Sequence, residues 1–134
     1  MFYFEDGLVV GGRDPSKNTV LLWVERNEIG EHCEWLQEED KRTISFYAKD
    51  FDEWKIYLNQ VVKSVTIIKE ILDSDSRKLD LPNERGVLIK FENGSDFIVA
   101  HGLHGCSDSE SLIKIKDINP YFRDRLEFIP VEKI

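Results

Sequence analysis

Residues 50–73 read DFDEWKIYLNQVVKSVTIIKEILD, and the reading of this stretch decides the fold class. Phe51, Trp54, Leu58, Val61, Val65, Ile68 and Leu72 recur at alternating steps of three and four, the period of an amphipathic helix. Asp50 stands where an N-cap would, and Glu53 three residues later completes a capping box, so the helix is predicted to start at Phe51 and run to about residue 73. Val61, Val62, Val65, Thr66, Ile67 and Ile68 are β-branched and would also suit a strand. The adjacent pairs Val61-Val62 and Ile67-Ile68 break strict alternation, and on that ground the helix is preferred.

Around this stretch the sequence predicts strands. Asn93-Gly94 between two β-prone runs predicts a hairpin over 87–101, through the positive φ angles a tight turn requires. Leu8-Val-Val and Thr19 to Glu25 are strand candidates joined by a loop from Gly11 to Asn18, and 43–48 is a further one. Leu112 to Lys116 alternates as a strand would, Asn119-Pro120 turns the chain, and Leu126 to Val131 reads as an edge strand closed by Pro130. Strands before and after one long helix, without a regular strand-helix-strand rhythm, predict an α+β fold. A mainly antiparallel sheet would pack against the helix at about 51–73 in a single domain spanning 1–134.

The chain has 134 residues, 26 acidic and 18 basic, for a net charge of −8 with His neutral. Its length and 41% apolar composition supply one hydrophobic core without a disulfide or metal. Two cysteines are too few for a secreted disulfide scaffold. The N-terminus lacks a basic n-region with an apolar run behind it, which points to a cytoplasmic protein with free thiols. No apolar stretch reaches the roughly 18 residues of a membrane span. An acidic surface also repels nucleic acid.

The charge is unevenly divided. Residues 1–53 carry a net −7 and residues 54–134 a net −1. Within the first part, Glu25, Glu28, Glu31, Glu34, Glu38, Glu39 and Asp40 stand against Arg26 alone over 25–40. Such a cluster is either a solvated face that aids solubility or a docking surface for a basic protein, where complementary fields speed encounter and a few anchors supply affinity. Trp35, between Glu34 and Leu36, is the candidate anchor, and the alternative for it is a partly buried core residue. The candidate partner-binding set is therefore Glu28, Glu31, Glu34, Trp35, Glu38, Glu39 and Asp40.

The three His and two Cys fall in two places, His32-Cys33 and His101-Gly-Leu-His104-Gly-Cys106. Imidazole and thiolate suit zinc, and a neighbouring imidazole could activate a thiolate nucleophile, which makes His101, His104 and Cys106 the weak candidates for a metal or thiol site. The spacing is not that of a zinc knuckle, and the glycines favour a simple strand end with Cys106 as a small buried residue. No catalytic set, cofactor or metal is assigned. Gly11-Gly12 with Arg13 and Lys17 is not a P-loop and reads as a hairpin connection, and Asn93-Gly94-Ser95 formally matches a glycosylation acceptor.

In size, acidity and lack of catalytic motifs the chain resembles the immunity proteins that bacteria pair with polymorphic or contact-dependent toxins. The likeness spans the whole chain, rests on no motif and carries no residue roles. It implies an acidic inhibitor that neutralises a basic, nuclease-like toxin by direct binding and has no catalysis of its own. The competing readings are a small metal- or thiol-dependent enzyme using 101–106, a homo-oligomeric subunit pairing through sheet edges, and a mimic of DNA.

Overall fold

A computed structural model describes residues 2–4, 7–14, 19–25, 48–71, 83–105 and 110–132. The chain divides into two compact units. The first carries most of a three-stranded sheet, in the order β1 (Phe2–Phe4), β2 (Gly7–Asp14) and β3 (Thr19–Glu25). β1 and β2 are antiparallel, with Tyr3 opposite Leu8. β2 runs through Gly11 to Asp14, so Gly11, Gly12 and Arg13 are strand residues and not the loop expected of them. The strand foreseen at 43–48 lies outside the described residues except for Ala48, which opens a 3-10 turn, Ala48–Asp50.

The predicted long helix is not formed. Among the described residues only Asp52–Lys55 is α-helical, and no helix reaches two turns. Its N-cap is Phe51 in an extended conformation with no side-chain cap, so Asp50 does not close the capping box. Tighter turns carry the chain to Asn59, whose φ of 57° is left-handed, a conformation asparagine tolerates and one that stops a helix. The β-branched run then forms β4 (Val62–Glu70).

β4 belongs to a five-stranded sheet with β5 (Glu84–Phe91), β6 (Asp96–His101), β7 (Glu110–Ile113) and β8 (Leu126–Pro130), in the order β7-β6-β5-β4-β8. Every pairing is antiparallel. Two register shifts interrupt the β4–β5 ladder. Val62 pairs with Phe91 but Ser64 with Lys90, which leaves Lys63 as an extra residue; Ile68 pairs with Gly86 but Lys69 with Glu84, which leaves Arg85 as another. The first bulge puts Val62, Val65 and Ile67 on one face, opposite Phe91, Ile89 and Val87, while Ile68 lies on the other. The step from Val65 to Ile68, which imitates a helix, therefore connects residues on opposite faces of a strand.

One face holds the core cluster of Ile68, Leu88, Ile98, Ala100, Leu103 and Ile113, with Ile118, Phe122 and Leu126 packed against it. Ile68, Ile98, Ala100 and Leu103 have no exposed surface. On the opposite face Ile89, Phe91, Phe97, Val99 and His101 are buried too, and Phe91 and Phe97 meet at 5.7 Å between ring centroids. Gly86 is required at its place. A Cβ there would lie 2.9 Å from the Val99 carbonyl oxygen and 3.0 Å from Ile98 Cγ2.

The β5–β6 hairpin forms as expected, by a different turn. The Gly94 N–H donates to the Phe91 carbonyl at 3.1 Å, and the Phe91 N–H donates to that of Ser95 at 2.9 Å. Gly94 alone takes positive φ, at 87°, so Asn93 sits inside a three-residue loop closed by a left-handed glycine. β7 ends at Ile113 and Ile115–Asp117 is a 3-10 turn, two residues inside the strand expected there. Asn119 caps the next turn, Pro120–Phe122, by accepting from the Tyr121 N–H at 2.9 Å. β8 is the edge strand the sequence foresaw.

Candidate functional site

The candidate docking residues Glu28, Glu31, Glu34, Trp35, Glu38, Glu39 and Asp40 lie outside the described residues, as do His32, Cys33, Lys17 and Cys106. Of the acidic run, Glu25 is placed, at the end of β3.

The His-Gly-Leu-His segment can be followed residue by residue. His101 ends β6 opposite Glu110 and has no exposed surface. Gly102, at φ 70°, then turns the chain, which a Cβ would resist. The turn sends Leu103 into the core and leaves His104 exposed. The Leu103 carbonyl accepts from the Asn119 N–H at 2.7 Å, which ties the segment to the next turn. The two imidazoles thus occupy opposite environments, one enclosed and one in solvent. Among the described residues no three His, Cys, Asp or Glu side chains come together as metal ligands.

A second polar group, which sequence reasoning did not single out, lies at the Arg85 bulge. The Arg85 Nε and Nη2 both reach Glu70 Oε2 at 2.8 Å, with side chains 26% and 14% exposed. The Glu70 backbone is held as well: its N–H donates to the Asn83 carbonyl at 2.7 Å, and its carbonyl accepts from Asn83 Nδ2 at 2.9 Å. Beside it, Lys69 Nζ lies 3.0 Å from Glu84 Oε1. The Lys69 hydrogen bond holds the Glu84 carboxyl below the ordinary carboxylate range, against the opposing effect of burial. The only sequence signal was like-with-unlike order, Lys69-Glu70 against Glu84-Arg85, which is legible only once the strands are known to pair. Each charge here faces its opposite, an arrangement that pins a bulge.

Two further cations have partners close in sequence. Lys55 Nζ contacts Asp52 Oδ1 at 2.8 Å, and Arg125 lies 4.4 Å from the Tyr121 ring centroid while donating to the Tyr121 hydroxyl at 3.1 Å. In sequence, residues 54–134 carry a net −1 and residues 1–53 a net −7. Among the described residues no helix is long and apolar enough to cross a membrane. The chain matches no known family model, no curated protein and no solved structure.

Proposed function

We propose that this chain is a protein-binding module that neutralises a basic protein, a toxin domain of nuclease type being the partner whose chemistry fits best. The observation that carries the reading is the division of charge: six net negative charges within residues 25–40, against near balance over 54–134. A surface that grips phosphates must be cationic, and a binder that covers it gains both attraction and on-rate from clustered carboxylates. Trp35 would supply the desolvated anchor that carboxylates cannot, since charged groups at a rim contribute mainly to rate and selectivity. The acid-base pairs at Lys69–Glu84 and Glu70–Arg85 are occupied within the sheet.

The reading is tested by reversing charge at Glu34→Lys, Glu38→Lys and Glu39→Lys together. Association with the basic partner should slow by roughly 10- to 1,000-fold at low ionic strength, with the difference shrinking as salt rises. An affinity unchanged by the triple reversal would move the binding surface elsewhere.

A further inference from the structure

We propose that the hairpin tip Asn93-Gly94-Ser95 is a self-modifying site, at which Asn93 converts to aspartate and isoaspartate with water as the only co-reactant. Asn93 and Gly94 are exposed. The next residue has no side chain to obstruct attack, and nothing lies within 4 Å of where a Gly94 Cβ would stand. The amide is also polarised. Asn93 Oδ1 accepts from the Ser95 backbone N–H at 3.0 Å and from the Ser95 hydroxyl at 2.6 Å. Negative charge develops on that oxygen when the side-chain carbon is attacked, so two donors already in place stabilise the transition state more than the ground state.

The reaction balances without an oxidant or a cofactor. The Gly94 backbone nitrogen gives its proton to solvent base and bonds to Asn93 Cγ; the Cγ–Nδ2 bond breaks, and Nδ2 takes a proton and leaves as ammonia. The cyclic imide then adds water. Cleavage of the bond from Gly94 nitrogen to Cγ yields aspartate, and cleavage of the bond to the Asn93 backbone carbonyl carbon yields isoaspartate. One contact opposes the first step, the Gly94 N–H bond to the Phe91 carbonyl at 3.1 Å. It lies at an exposed loop tip, where local opening is cheap compared with global unfolding.

The chain contains its own comparisons. Asn119 precedes Pro120, which has no N–H to lose, and Asn59 and Asn83 precede Gln60 and Glu84, whose side chains crowd the nitrogen. Asn83 also has its amide nitrogen engaged on the Glu70 carbonyl. The two products differ for the fold. Aspartate keeps the acceptor for Ser95 and adds one negative charge to a chain already at −8, whereas isoaspartate lengthens the backbone inside the loop and misaligns the Phe91–Gly94 turn bond.

The test is incubation of the purified full chain at mildly alkaline pH, followed by peptide mapping and enzymatic labelling of isoaspartate. Conversion should occur at Asn93 before Asn59 or Asn83. Ser95→Ala should slow it roughly fivefold, the loss of one hydrogen bond to the developing oxyanion. Ser95→Thr, which keeps the hydroxyl, should retain the rate. Conversion of Asn59 or Asn83 ahead of Asn93 overturns the site, and a Ser95→Ala rate equal to or above that of the unmodified sequence overturns the role of Ser95.

Discussion

The β4–β5 junction and the segment 25–40 are both rich in charge, and they differ in its balance: the junction pairs opposite signs, whereas the segment carries an excess of one sign in sequence. At the junction, Glu70 meets Arg85 and Lys69 meets Glu84, each at hydrogen-bonding distance and partly sheltered from solvent. Over 25–40, seven carboxylates have one arginine among them in sequence. Matched charge at a bulge fixes a backbone irregularity, and its contribution is to stability. Charge of one sign in excess repels itself, and under the proposed function it is relieved by a basic partner, so its contribution would be to association. Stability and binding should therefore be separable by mutation.

The largest expected effect on stability comes from Arg85→Ala. It leaves Glu70, 14% exposed, with its backbone still tied to Asn83 but no cation, and unfolding should become easier by about 2 kcal/mol, below the range for fully buried pairs because Arg85 is a quarter exposed. Denaturant titration measures this, and partner affinity should not follow. If affinity fell in parallel, the two regions would not be independent.

Gly86→Ala sharpens the contrast by removing no charge at all. The added methyl must displace the Val99 carbonyl or Ile98, at a cost of about 1–2 kcal/mol. This loss should be insensitive to salt, whereas loss at an ion pair should lessen as salt screens the intact pair.

The smallest effect is the pH dependence at Glu84. The Lys69 hydrogen bond lowers its folded pKa below that of the unfolded chain, so its stabilisation is present above the unfolded value and is lost as pH falls through the lowered folded one. Lys69→Met removes the main cause of the lowering. Melting temperatures of the two proteins should differ most near neutrality and converge as the solution becomes acidic; a difference that grew with acid would contradict the assignment.

The sheet itself was only partly legible in the sequence. The 87–101 hairpin and the edge strand at 126–131 could be read because local signals, Asn93-Gly94 and Pro130, act where they stand. β4 could not, because the bulge at Lys63 breaks its period of two and both of its faces carry apolar residues, so Val65 and Ile68 present a helical step of three across opposite faces. The β-branched run was the better indicator, and Asn59 marked where the helical turn stops. The Glu70–Arg85 pair was hidden for the same reason, since partners 15 residues apart meet only through the register of β4 on β5. His101 as a strand end and Gly102 as a bend are legible from the local sequence, while Cys106, expected as a small buried residue, lies outside the described residues.

The most direct test of the central claim is binding measured against ionic strength. The intact chain and the chain carrying Glu34→Lys, Glu38→Lys and Glu39→Lys would each be immobilised and exposed at low salt to soluble protein from the cells that make it. The bound fraction would be eluted with rising salt, and any protein recovered would be titrated against both chains. The account predicts a basic protein that the intact chain holds, that salt releases and that the reversed chain binds at least about tenfold more weakly. A partner held equally by both chains, or one whose affinity does not respond to salt, would contradict it.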